Sequence, residues 1–351
     1  MGPIPIAHYM AEANARYYAS RDPLGAAGDF VTAPEISQMF GELIGLWLAD
    51  IWQRARQPEN VCYVELGPGR GTLARDALRA ARRGGLVPEV HFVETSPALT
   101  ALQRAAHPGA QWHHDLSDLP ADRPLLVVAN EFLDALPVRQ LVRTAAGWRE
   151  RMVGLDGSGA FVPVVGTRPM DAAVPAGFAD AAEGSILETS PAAATVVQDV
   201  AGRLAAQGGA ALFIDYGYSQ PQLGSTLQAV RAHRKVDPFA GPGEADLTAL
   251  VDFATLAGIA EAAGGRWLGT REQGAWLKAL GIDARAEALT RGAPHAEEAI
   301  RAEALRLTAP QEMGSLFKVM GLAAPGWPDG AGFVRVSSDG PAAGTVTPQP
   351  D

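Results

Sequence analysis

The stretch Val64-Glu65-Leu66-Gly67-Pro68-Gly69-Arg70-Gly71-Thr72 decides how the rest of the chain is read. An apolar run, Val61–Leu66, enters it, and a helical pattern, Thr72–Arg83, leaves it and stops at Gly84-Gly85. A glycine loop between a strand and a helix lets a ligand approach the backbone closely. Two familiar ligand classes fit badly. The dinucleotide fingerprint is spaced G-x-G-x-x-G, and here the third glycine comes one residue early, which disfavours a nicotinamide-dependent dehydrogenase. A phosphate loop needs Lys-Ser or Lys-Thr after its last glycine, whereas Thr72 follows Gly71 directly.

Glu65 sits near the end of the strand, where its charge repels a pyrophosphate and suits a cation. Glu94 ends the next strand and can accept both hydroxyls of a ribose. Asp115 follows a third short strand and can accept from an adenine amine. Three carboxylates at successive strand ends beside such a loop point to S-adenosylmethionine, which carries an ammonium and a sulfonium and no phosphate. Pro68, Leu116 and Asn130 flank these positions and join Gly67, Gly69 and Gly71 in the cofactor set.

Outward from the loop, short strands alternate with helices: Val90–Glu94, Ala98–Ala106, Ala110–His114 and the continuous apolar run Leu125–Ala129. This alternation predicts an α/β fold, a doubly wound and mostly parallel sheet. Residues 138–188 break the rhythm with glycines and short β-type runs, and read as an antiparallel β insertion. A helix over 191–207 and the strand Ala210–Asp215 restore it. A helix is expected over Leu247–Ala263, helices over 271–308, and a last strand over Met313–Leu322. Residues 1–56 read as N-terminal helices capping the cofactor site, with Ile36, Phe40, Leu43, Ile44 and Trp47 at helical spacing and Ser37 or Thr32 as cap. The main domain then runs from 57 to 336, and 337–351 read as a disordered tail.

Among 351 residues, 29 basic and 39 acidic side chains leave a net charge of −10. The basic runs Arg231–Lys235 and Arg82-Arg83 are short and isolated, so nucleic acid is excluded as a bulk partner. Cys62 is the single cysteine, so no intrachain disulfide can form; it lies in an apolar run and reads as a small buried hydrophobe. His113 and His114 are neighbours, face opposite ways on a strand, and belong to no recognisable ligand set, so no metal is expected. No apolar run reaches 18 residues, and no secretory or transit pattern opens the chain. The expectation is a soluble protein of a bacterial cytoplasm, or of the mitochondrial matrix should a transit segment precede Met1.

The run Leu125–Ala129 leads into Asn130-Glu131-Phe132-Leu133-Asp134-Ala135-Leu136-Pro137. Loops at the carboxyl edge of an open α/β sheet meet the substrate. Two carboxylates three residues apart beside a cationic cofactor suit a guanidinium or amine acceptor, held by bidentate hydrogen bonds. Glu131 and Asp134 are therefore the candidate catalytic pair, with turn capping as the alternative for either. Asp215 and Tyr216 end the next strand on the same rim, where Tyr216 can wall an acceptor channel, and His233 lies in an Arg-rich loop. These three join Asp29, Phe30, Thr32 and Glu35, from a turn-rich stretch with two carboxylates and an aromatic, as the substrate-pocket set.

At this point the residues resemble the MidA family of class I (Rossmann-like) S-adenosylmethionine-dependent methyltransferases. The matching stretches are Gly28–Glu35, Phe40–Gly45, Glu65–Thr72, Val93–Pro97, Asn130–Pro137, Asp215–Tyr218, Thr226–Ala229, Gly243–Thr248, Val251–Phe253 and Met313–Val319. Phe132-Leu133 departs conservatively from the family's Phe-Phe. The resemblance implies methyl transfer from S-adenosylmethionine, no metal, and Gly28–Glu35 covering the cofactor. It also implies a protein substrate, since mitochondrial members are linked to symmetric arginine dimethylation of a respiratory complex I subunit. A non-catalytic assembly factor on the same fold and a small-molecule methyltransferase remain open as alternatives.

Overall fold

The computed structural model describes residues 2–20, 32–231 and 234–333. A short strand β1 (Ile4–Pro5) opens into α1 (Ile6–Ser20), followed by α2 (Ala33–Ile36) and α3 (Gln38–Arg54). Then come β2 (Cys62–Leu66), α4 (Thr72–Arg83), β3 (Glu89–Val93), α5 (Pro97–Ala106), β4 (Gln111–His113) and β5 (Leu125–Asn130). The expected insertion supplies β6 (Arg139–Thr144), β7 (Gly147–Leu155), β8 (Phe161–Pro169) and β9 (Ile186–Thr189). After α6 (Pro191–Gln207) and β10 (Gly209–Tyr218), the strands β11 (Gln228–Arg231), β12 (Arg234–Val236) and β13 (Asp246–Thr248) make a small sheet of their own. The chain ends with β14 (Val251–Asp252), α7 (Phe253–Ala262), β15 (Arg266–Glu272), α8 (Gln273–Ala279), α9 (Ile282–Gly292), α10 (Glu297–Thr308) and β16 (Phe317–Ala323).

The main sheet runs β15-β16-β10-β5-β2-β3-β4. From β10 to β4 neighbouring strands are parallel, while β16 is antiparallel to both β10 and β15. Chain order reverses between β2 and β5, because β3 and β4 lie to one side of β2 and β5 and β10 to the other. A crevice opens outside the carboxyl ends of strands at such a reversal. The glycine loop leaves β2 there, and the Asn130–Pro137 turn leaves β5.

Helices cover both faces, as the apolar runs of β2 and β5 require. On one face α3 and α4 bury Phe40, Ile44, Trp47, Leu73 and Ala77 against Tyr63, Phe92 and Leu126. Gly45 permits this approach: a Cβ there would stand 2.0 Å from the Ala77 carbonyl oxygen. The other face buries Val197, Val200, Leu204, Phe253 and Leu256 from α6 and α7. α3 is thus built into the core, and Ser37 caps that helix by accepting from the Met39 N–H. α1 packs on the insertion, with Ile6, Tyr9 and Met10 against Val138, Val153 and Leu247.

Three expectations shift. The helix read over Leu247–Ala263 starts only at Phe253: Asp246–Thr248 pairs with β11, and Asp252 caps the helix by accepting from Thr255 N–H. The last strand starts at Phe317, because Pro310–Gly314 forms a wide helical turn first. β15 was not legible, since Gly269 interrupts it with a register shift. The predicted tail lies outside the described residues. No helix among the described residues is long and apolar enough to cross a membrane.

Candidate active site

The crevice holds a cavity of about 510 Å³, within the range of small-molecule sites. Glu65, Gly67, Pro68, Gly69, Arg70 and Thr72 line one wall; Glu94, Thr95, Ser96 and Pro97 line the next. Asn130, Glu131, Phe132, Ala135 and Leu136 face them, while Thr32, Pro34 and Glu35 close the N-terminal side.

The glycine wall is made of left-handed backbone, with φ of 62° at Gly67, 55° at Gly69 and 79° at Gly71. A Cβ at Gly67 would meet the Phe132 ring at 2.8 Å, so glycine is required both for the turn and for contact with the opposite wall. Glu94 is held from both sides: one carboxylate oxygen accepts from Ser96 N–H at 2.8 Å, the other from Gln103 Nε2 at 3.1 Å. Gln103 also donates to the Gly69 carbonyl at 2.7 Å and accepts from Trp112 Nε1 at 3.0 Å. It is fully buried and locks the glycine loop to Glu94. Nothing in its sequence position signals this role.

The opposite wall uses a different device. Glu131 has φ of 51°, a left-handed conformation for a residue with a full side chain. Its N–H donates to Ile214 O at 2.8 Å. Its carboxylate accepts from Ala33 N–H at 3.1 Å and from Asn130 Nδ2 at 3.2 Å. The next three N–H groups, of Phe132, Leu133 and Asp134, all donate to Oδ2 of Asp215, at 3.1, 2.9 and 3.2 Å. Oδ1 of Asp215 accepts from Tyr216 N–H at 3.0 Å. One buried carboxylate therefore folds the whole turn.

Residues 43–271 match the family model of S-adenosyl-L-methionine-dependent methyltransferases. The chain belongs to this family. It is 36% identical to the mitochondrial protein arginine methyltransferase NDUFAF7 of Danio rerio, over 90% of this chain and 82% of that protein. With the Drosophila melanogaster homolog the identity is 37%, over 92% and 82%. A superfamily member from Burkholderia thailandensis, solved with S-adenosyl-homocysteine bound, superposes with a TM-score of 0.82 at 30% identity, covering 95% of this chain and 91% of that one.

The protein is thus a methyltransferase that uses S-adenosylmethionine, and its cavity suits that cation. Burial pushes Glu65 up to about 8, opposed by the Tyr63 hydroxyl, which donates to it at 2.5 Å. Burial also raises Glu94, and raises Glu131 to about 7, where the nearby Asp134 charge adds to the effect. Buried carboxyls that resist ionisation gain from a cationic ligand in the same cavity.

Several predicted site residues stand elsewhere. Asp134 is buried behind the wall; its Oδ2 accepts a short hydrogen bond from the Tyr216 hydroxyl, and its Oδ1 is buried with no partner. Burial raises it to about 6. Asp215 and Tyr216 do not line the cavity, which corrects their assignment to the substrate pocket. Asp215 is spent on backbone N–H groups, and Tyr216 packs on Phe317. Asp115 and Leu116 also lie off the wall: Asp115 is exposed and caps the Leu116–Asp118 turn by accepting from Ser117 N–H at 2.8 Å, while the Leu116 side chain joins the core. Gly71 begins α4 rather than lining the cavity. Glu35 accepts from Thr72 Oγ1 at 2.5 Å, closing the cap onto the glycine loop. Asp29, Phe30 and His233 lie outside the described residues. The sequence reading missed Asn14, Ala15 and Tyr18 of α1, which also line the cavity. Asn14 Nδ2 donates to the carbonyls of Ala135 and Leu247, and Tyr18 donates to Asp246.

Proposed function

We propose that this methyltransferase is a protein arginine N-methyltransferase, acting on a respiratory complex I subunit or a similar protein. The observation that carries the reading is Glu131. Its carboxylate is held into the cavity by strained backbone, with buried Asp134 behind it. In this reading the glycine loop and Glu94 hold the adenosyl half, Glu65 faces the charged amino-acid end, and Asn130 and Glu131 lie toward the reacting end. Bound there, S-adenosylmethionine supplies an electrophilic methyl group on a sulfonium.

Methyl transfer is an in-line displacement, so alignment of the acceptor nitrogen carries much of the rate. A free guanidinium is almost never neutral. Glu131 pairs with it, draws its charge to the nitrogens that do not react, and takes the proton late; a carboxyl near 7 can do both. Asp134, buried behind the wall, adds negative potential to the site. The curated relatives carry the name protein arginine methyltransferase, which supports the acceptor class. Their names also place them in mitochondria; for this chain we propose the bacterial cytoplasm, with the matrix as the alternative.

The test is mass spectrometry of the host proteome with and without the gene, together with tritiated methyl transfer into the deletion lysate. Loss of one or a few methyl-arginine sites on deletion, restored by purified enzyme, supports the reading. Label that enters only small molecules, or methyl-arginine that is unchanged, overturns it.

A further inference from the structure

The edge of the sheet opposite the cavity carries a second cluster. β2 and β3 are parallel and in register, Cys62 beside Glu89 and Val64 beside His91. Strand alternation therefore brings Cys62, Glu89 and His91 to one face, although Cys62 precedes His91 by 29 residues in the sequence. Cys62 Sγ, a Glu89 carboxylate oxygen and a ring nitrogen of His91 lie within 4.8 Å of one another. His91 Nε2 is 3.7 Å from Glu89 Oε1.

His91 is fully buried, and its Nε2 has no hydrogen-bond partner. Its other nitrogen, Nδ1, lies 2.9 Å from Nε2 of His113. In the tautomer in which His113 Nε2 accepts the Nδ1 proton, His91 Nε2 is an unprotonated lone pair beside Cys62 and Glu89. Histidine ligands of metals are held this way, with the far N–H tied to a second acceptor. An orphaned lone pair at full burial is otherwise costly.

We propose that Cys62, Glu89 and His91 bind one divalent cation of the zinc type, with water in the fourth position. Thiolate, imidazole and carboxylate are the zinc donor set. One thiolate and one carboxylate neutralise the ion. The proton displaced from the thiol passes to solvent as the metal binds. The Arg123 guanidinium borders the site beside Cys62; it donates to Glu89 Oε2 at 2.8 Å and to Asp122 at 3.0 Å, and turns toward Asp122 as the ion binds. Glu89 also accepts from Gln111, which leaves it fixed and half-exposed, open to water on its outer side. The expectation of no metal rested on His113 and His114, which belong to no recognisable ligand set; the three residues here come from adjacent strands. The site pins the starts of β2 and β3 and stands apart from methyl transfer.

The experiment titrates the chelator-stripped full chain with cobalt(II), the spectroscopic substitute for zinc. Cys62 is the single cysteine, so any thiolate-to-cobalt charge-transfer absorption reports this residue alone. The expected result is a band that saturates at one equivalent, is displaced by zinc, and is absent in Cys62→Ser. His113→Asn, which removes the second acceptor, should weaken binding about 10–100-fold. Thermal shift with S-adenosylmethionine should be the same in Cys62→Ser and the parent, which shows that the variant folds. The proposal is overturned if the parent develops no band, if the band needs a large excess of cobalt, or if His91→Gln leaves it unchanged.

Discussion

The two walls of the cavity solve the same backbone problem in opposite ways. Both leave a central parallel strand, β2 or β5, and both turn at once through left-handed backbone. The glycine wall meets that demand with residues that carry no side chain, so the backbone itself faces the ligand. The Asn130–Leu136 wall places Glu131 in the same conformation and offsets the strain with Asp215, whose carboxylate collects four N–H groups. Glycine is used where the chain must be thin; a strained glutamate is used where a charged group must point into the cavity. Strain of this kind clusters at functional sites. The walls touch at Gly67 and Phe132, so they are also coupled.

Changes that exploit this contrast should rank as follows. Asp215→Ala strands four N–H groups around a buried turn, and an unpaired buried donor costs about 1–3 kcal/mol. A stability loss of at least about 3 kcal/mol in denaturant unfolding is expected; a loss under about 1 kcal/mol would show that the turn holds itself. Gly67→Val adds a branched side chain at a positive φ against Phe132. Calorimetry should find cofactor affinity down by about a hundredfold, roughly 2.7 kcal/mol, and unchanged affinity would remove the loop from the site.

Glu94→Ala should weaken S-adenosylhomocysteine binding by about 1–3 kcal/mol, since it removes a hydrogen-bonded charged group. Equal binding by variant and parent would contradict a ribose contact. Glu131→Gln keeps size and loses charge. Methyl transfer should fall by at least about tenfold, about 1.4 kcal/mol, while cofactor affinity stays nearly constant; a drop in affinity with full turnover would move Glu131 to the cofactor side.

The contrast also predicts a pH slope. Asp134, Glu131 and Glu65 are raised to about 6, 7 and 8, mainly by burial. A carboxyl raised in the folded state keeps its proton when the unfolded chain would lose it. Its contribution is complete at acid pH and is lost as pH rises through the folded value. Without cofactor, stability should therefore decline between pH 6 and 8, by at most about 1.4 kcal/mol per pH unit for each proton retained. Glu65→Gln should flatten the upper part of that decline. A stability that rises over this range would contradict the burial of these acids.

Much of the site was legible because its residues sit where strands end. Glu65, Glu94 and Glu131 each follow or close a run of apolar residues, and that punctuation survives in one dimension. Asp215 ends a strand in the same way, yet its carboxylate faces backward into the turn after β5. Strand-end position alone does not distinguish the two orientations. Asp115 shows a related ambiguity: a short acidic residue before a helical turn caps it as readily as it meets a ligand. Gln103 and Asn14 were missed because a glutamine or asparagine on a helix carries no local mark of what its amide reaches.

The order of elements, the carboxyl-edge crevice and the cationic character of the ligand follow from apolar periodicity, glycine placement and charge. These are local properties, and they act through chain geometry within a few residues. What the tertiary structure alone decided are the pairings over long separations: Asp215 with the turn 82 residues before it, Ala33 with Glu131, and Cys62 with His91. Such contacts are set by sheet order and register. A carboxylate's role depends on which donors that register delivers to it, and no window of sequence contains both partners.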